Sequence, residues 1–196
     1  MDSAADSDDR APVSPTADAI RIRVATDADR ACIERLLRGS WGATTVVSRG
    51  RVHDASRLPA LLSFAAEGGD PLGLATLSLE NGECELVTLD AFPRRRGVGS
   101  ALLSAAADWA RARGCRRLWL ITSNDNLDAV RFYQRRGLRL VAVHRGAVDR
   151  ARELKPGIPE VGEYGIAIHD ELELELALSA TLRRRGWESN KCFGRA

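Results

Sequence analysis

An α/β fold built on a mixed sheet is predicted by three observations. Residues 61–89 hold three apolar runs, Leu61 to Ala66, Leu72 to Glu80 and Glu83 to Leu89, separated by Gly68-Gly69-Asp70 and Asn81-Gly82. Asn-Gly between apolar runs is a strong hairpin signal, so these runs read as an antiparallel meander. After residue 97 the pattern changes to helix, strand, helix, strand, which implies crossover connections and parallel pairing in that half. Finally, Glu171 to Leu178 alternates Glu with Leu, the mark of an amphipathic last strand.

The elements follow in order. Ile20 to Ala25 alternates apolar residues with Arg and reads as a half-buried strand. Thr26 or Asp27 caps a helix whose apolar face is Ala28, Ile33, Leu36 and Leu37, with Gly39 as its stop. Trp41 to Arg57 is mixed and reads as an irregular lid or substrate loop. Beyond the meander, Val98 to Arg113 places Val98, Leu102, Ala105, Ala106 and Trp109 on one helical face and stops at Gly114. Arg117 to Thr122 is a strand, Leu127 to Arg136 a helix stopped by Gly137, and Leu138 to His144 a strand. Ala147 to Glu163, with two prolines and two glycines, reads as a long loop.

The chain has 196 residues, 44% apolar and 29% charged, enough for one domain with a full core. Its net charge of +2 provides no global field toward nucleic acid or lipid. The ends differ in sign: 1–18 is expected to be a disordered acidic tail, 19–178 the folded domain and 179–196 a basic tail. None of the four cysteines forms a C-x-x-C pair or has metal-ligand spacing with His, so no metal is expected. Reduced thiols, no secretory signal and no apolar run near the ~20 residues that span a bilayer together predict a cytoplasmic protein with no membrane partner.

The sharpest local feature is Phe92-Pro93-Arg94-Arg95-Arg96-Gly97-Val98-Gly99-Ser100, between a strand and a helix. Glycines let the backbone approach a ligand closely. The unpaired amides of Val98, Gly99 and Ser100 open the helix and form an anion site with its dipole. A dinucleotide site of the Rossmann type would want a third glycine at Leu102 and would open the fold rather than follow a meander. Alone, the turn is equally compatible with a tight strand–helix connection.

A second motif narrows the choice. Residues 126–138 read Asn126-Leu127-Asp128-Ala129-Val130-Arg131-Phe132-Tyr133-Gln134-Arg135-Arg136-Gly137-Leu138. Together the two resemble the GNAT (GCN5-related) N-acetyltransferases, which carry Gln/Arg-x-x-Gly-x-Gly/Ala followed, after a strand, by Asn-x-x-Ala-x-x-x-Tyr-x-x-x-Gly-Phe. The one departure is Leu138 for Phe. The resemblance implies a mostly antiparallel central sheet flanked by helices, with a splayed strand pair that admits coenzyme A. It implies that the backbone of Arg94, Arg95, Arg96, Gly97, Val98, Gly99 and Ser100 holds the pyrophosphate of acetyl-CoA. Backbone around Val87 and Leu89 is expected to pair with the pantetheine arm, Asn126 to hydrogen-bond it, and Ala129 and Phe132 to pack on it. Tyr133 falls where the family often places a general acid near the sulfur. Some members use a Glu on the strand before the glycine turn as base, which here means Glu85, with Glu83 the second candidate. Ile121 stands where others carry a Glu.

The acceptor is expected to be a primary amine of a small molecule or peptide, met by Ser48-Arg49-Gly50-Arg51-Val52-His53-Asp54, by Lys155 to Glu160, or by His169-Asp170-Glu171. Acidic groups near the last strand suit a cationic amine. For His53, His144 and His169 a packing or surface role is favoured. The rival from another class is a non-catalytic acyl-CoA-sensing module of the same fold. Nucleic-acid binding is not expected, because no aromatic platform interleaves the arginines. A monomer or a homodimer, paired through the alternating last strand, fits the pattern.

Overall fold

The structure is a computed structural model that describes residues 20–92 and 96–178. The two tails, together with Arg94 and Arg95, lie outside the described residues.

The chain runs β1 (Ile20–Val24), α1 (Arg30–Trp41), β2 (Thr45–Ser48), β3 (Arg51–Asp54), β4 (Ala60–Ala65), β5 (Gly68–Glu80), β6 (Glu83–Ala91), α2 (Val98–Ala112), β7 (Arg117–Ser123), α3 (Leu127–Gln134), β8 (Arg139–His144), α4 (Ala147–Leu154) and β9 (Glu171–Ala177). Seven strands form one sheet in the order β1-β4-β5-β6-β7-β9-β8, and β2 and β3 form a separate hairpin. The meander is as expected, and Asn81-Gly82 makes the β5–β6 turn, both residues at positive φ. The β4–β5 turn falls at residues 66–67 instead, and Gly68 and Gly69 open β5 in left-handed geometry.

The second half differs from the expectation in one respect. β6 and β7 pair in parallel, but β7 and β8 do not touch: β9 inserts between them, antiparallel to both. Both edges of β9 are therefore taken, which removes the route to a dimer through that strand. Its inward leucines explain the insertion. Leu174 is fully buried, with Leu172 and Leu176 packed on the same core.

That core lies between the sheet and α2. Leu102 and Ala106 seat on Leu77, Leu118, Leu120 and Leu174. Gly73 on β5 lets α2 approach: a Cβ there would stand 2.5 Å from the Asp90 carbonyl oxygen and 2.9 Å from both Val98 and Leu102. A smaller core on the opposite face joins Ile33 and Leu37 of α1 to Leu62, Leu74 and Val87.

Three local expectations are corrected. α1 runs through Gly39 to Trp41 and ends at Gly42, whose φ of 70° suits the cap. A glycine within a helix costs only about 1 kcal/mol, and here the helix carries Trp41 to a hydrogen bond with Asp90 at 2.9 Å. Residues 41–57 are not irregular, because they contain the β2–β3 hairpin, closed by Arg49 (φ 48°) and Gly50 (φ 72°). Residues 147–163 begin with α4, whose Ala147, Val148 and Ala151 are buried, and both prolines follow it. No described helix is long and apolar enough to cross a membrane.

Candidate active site

The glycine turn opens α2. Gly97 caps α2 at φ 82°, a conformation side chains resist, and among the described residues no side chain caps the first amides. The first helical bond runs from the Ala101 amide to the Gly97 carbonyl at 3.0 Å, so the amides of Val98, Gly99 and Ser100 precede the helical ladder. Gly99 admits Phe132: a Cβ there would lie 3.3 Å from the ring. Arg136 stacks on Phe132 at 3.7 Å and donates through Nε to the Ser100 hydroxyl at 2.9 Å, placing a cation beside the α2 N-terminus. Sequence reasoning missed Arg136, although its place four residues after Phe132 on the same helical face was a readable signal.

Between β6 and β7 the ladder has two described rungs, Cys84 with Leu118 and Glu85 with Trp119. Past them β7 goes on pairing with β9 as far as Ser123–Glu171. The strands thus part at Glu85, beside Val87 and Leu89. On its other side β6 has a bulge: Thr76 pairs with Thr88 but Leu77 with Leu86, leaving Val87 as the extra residue. Bulges re-aim backbone groups next to sites. Asn126 caps α3, its side-chain oxygen accepting from the Ala129 amide at 3.1 Å, so its NH2 group is the part able to bind a ligand. Tyr133 follows Phe132 in an edge-on contact, 5.1 Å between centroids. Burial raises its pKa above the usual phenol range, and nearby Asp90 adds to the effect.

On the opposite face of β6 lies a cleft of about 360 Å³ whose walls include Ser48, Arg49, Glu85 and Trp119. Glu85 is 5% exposed. It accepts from the Ser48 hydroxyl at 2.5 Å, and His53 Nε2 lies 3.6 Å from its other oxygen. Glu83, the second candidate base, is ion-paired with Arg116 and Arg117, and its bond to Arg117 holds it below the usual carboxylate range. That makes it a poor base.

The chain matches a family model described as Acetyltransferase (GNAT) family over residues 33–138. The chain belongs to the GNAT acetyltransferase family. The uncharacterized protein YdhI of Bacillus subtilis is 44% identical over 134 residues, 67% of this chain and 82% of that protein. A mycothiol acetyltransferase of Clavibacter michiganensis is 40% identical over 88 residues, 43% of this chain and 29% of that protein. Among solved structures, a Bacillus subtilis acetyltransferase in complex with CoA superposes with a TM-score of 0.61 at 20% identity, covering 81% of this chain and 99% of that one.

Of the expected acceptor segments in this acetyltransferase, the hairpin and the start of β9 meet. The Arg49 amide donates to Glu171 at 3.1 Å, and its guanidinium lies 3.6 Å from Glu173. Lys155 reaches the Thr45 carbonyl oxygen at 3.0 Å and so buttresses the hairpin from behind. His144 bonds Glu173 at 2.9 Å, and His169 rests on Asp149 at the surface. Although burial opposes it, bonds from His144 and Arg117 hold Glu173 below the usual carboxylate range. Burial outweighs its partners at Glu171 and raises that carboxyl.

The raised value has a consequence for stability. The folded chain binds the Glu171 proton more tightly than the unfolded chain, so this group's contribution falls as pH rises from the usual carboxylate range through the raised value. Glu171→Gln keeps an acceptor for the Arg49 amide and removes the penalty. It is expected to raise the melting temperature at pH 7, with the two proteins converging below about pH 4. Thermal denaturation across pH checks this.

Proposed function

We propose that this acetyltransferase takes acetyl-CoA as donor and moves the acetyl group by direct attack onto a primary amine of a small molecule or peptide. The observation that carries the reading is the place of Glu85: a buried carboxylate on the last described rung shared by β6 and β7, lining a cleft. The uncapped amides of α2 and the parting strands suit the pyrophosphate and pantetheine of the donor, and the CoA complex of a structural neighbour supports that choice.

An alkyl amine with pKa near 10.4 is mostly protonated at pH 7, and freeing it costs roughly 4 kcal/mol. Glu85 takes this first proton. The nitrogen then attacks the thioester carbonyl, the C–N bond forms, the C–S bond breaks, and the second nitrogen proton passes to solvent. Positioning the two reactants offsets about 7–11 kcal/mol. Tyr133 serves the sulfur as a hydrogen-bond donor. A phenol near 10, raised further by burial, lies above a thiol near 8.5, so it keeps its proton while the thiolate departs and the thiolate is protonated by solvent. Tyr133→Phe is expected to lower kcat by about 10²-fold with little change in the KM of acetyl-CoA, measured by steady-state kinetics.

Glu85 is buried in a cleft whose walls also carry Glu80 and Glu83 beside Arg49, Arg51 and Arg116, and these carboxylates are taken to favour a cationic acceptor. Thiol release from acetyl-CoA across spermidine, lysine, tryptamine, a short peptide and an acidic dipeptide tests this. Turnover led by a cationic amine is expected. Preference for the acidic dipeptide overturns the acceptor class, and hydrolysis indifferent to the acceptor overturns the transferase reading. The sensing-module alternative gains only if acetyl-CoA binds and neither the parent nor Tyr133→Phe turns over any amine.

A further inference from the structure

We propose that Ser48 and His53 are positioning residues for the base, so that Glu85 works inside a Ser48–Glu85–His53 constellation supplied by the β2–β3 hairpin. The inference rests on the reading of Glu85 as base and adds what holds it.

Three observations converge. The hairpin presents one face to the sheet: Val46 and His53 are register partners, and Val46, Ser48 and His53 are its buried side chains along with little else. Each Glu85 oxygen has its own neighbour on that face, Ser48 Oγ at 2.5 Å on one and His53 Nε2 at 3.6 Å on the other. And Nε2 is fully buried without a hydrogen-bond partner among the described residues. Leaving such an atom unpaired costs about 1–3 kcal/mol, a cost that a bond to Glu85 would remove.

The arrangement separates the roles. Ser48 and Glu85 line the cleft, whereas His53 does not and stands behind the carboxylate. Ser48 orients one oxygen, leaving it able to receive the amine proton. As Glu85 changes charge, a shift of a few tenths of an ångström brings Nε2 into hydrogen-bond range of the second oxygen. No bond other than N–H and O–H is made or broken: the proton moves from the ammonium nitrogen to Glu85 and returns to solvent after the product leaves. A carboxylate bonded by Ser48 on one oxygen and flanked by His53 on the other is limited in its movement through that cycle.

The test compares Ser48→Ala, Ser48→Thr, His53→Gln and Glu85→Gln in the full chain. Two acceptors are used: the most active alkyl amine of the panel above, and hydroxylamine, which is already unprotonated at neutral pH and needs no base. Ser48→Ala and His53→Gln are expected to lower kcat with the alkyl amine about ten- to a hundredfold. The KM of acetyl-CoA and turnover of hydroxylamine stay near the parent values, and Ser48→Thr restores most of the rate. Equal losses with both acceptors mark a structural role and overturn the proposal. Parent-like rates in Ser48→Ala and His53→Gln, with Glu85→Gln impaired, overturn it while leaving the base in place. A parent-like Glu85→Gln instead removes the base reading itself.

Discussion

Glu85→Gln is expected to reduce kcat with an alkyl amine by about 10²–10⁴-fold, the span typical of a lost general base. The substitution preserves volume and leaves an oxygen able to accept from Ser48, so the fold around it is retained. On the proposed reading, what disappears is the ability to take a proton at a point where the cleft meets the parting strands. The KM of acetyl-CoA is expected to change little, because the contacts proposed for the donor lie at Gly97 to Ser100 and along α3. The defect should shrink as pH is raised, since more of the amine then arrives unprotonated. A pH series of kcat with the parent and the variant checks both statements, and a variant equally active at pH 7 would exclude Glu85 as base.

Gly73→Ala is expected to have the largest effect on stability. Its Cβ would meet a backbone oxygen at 2.5 Å and two α2 side chains at 2.9 Å. A carbonyl oxygen cannot rotate away as a side chain can, so the strand or the helix must shift. Overpacking of this kind costs about 1–3 kcal/mol. The helix end that shifts is the one carrying Val98 and Leu102, directly after the Gly97 cap. The KM of acetyl-CoA should therefore rise along with the loss of stability. Gly99→Ala is the comparison for stability alone: its Cβ would lie 3.3 Å from the tip of Phe132, an aromatic side chain that can yield. Urea denaturation of the two variants separates the cases, and a Gly73→Ala protein as stable as the parent would refute the packing argument.

Both arguments show where the sequence was legible. The two motifs proposed for the donor depend on local signals: glycines that fix a turn, and an Asn that caps the next helix, one strand later. Those are set by near neighbours, and Gly97 opens α2 and Asn126 caps α3 as the motifs predict. The acceptor side depends on contacts far apart in the chain. Ser48 and Glu85 are 37 positions apart and Arg49 and Glu171 are 122 apart. The hairpin that brings these groups together has four-residue strands of mixed polarity and an Arg-Gly turn, a weaker signal than Asn-Gly. α4 was hidden because prolines just beyond it made the whole stretch read as loop.

The sequence by itself determined the α/β class, the meander, the two helices that carry the donor motifs and the family to which they point. Each is encoded in periodicity or in residues whose backbone preferences act over a few positions. The tertiary structure alone decided that β9 enters between β7 and β8, that of the two glutamates lining the cleft Glu83 is ion-paired with arginines while Glu85 is buried, and that Ser48 and His53 close on Glu85. Burial and pairing across long sequence separations set those outcomes, and no local preference encodes them.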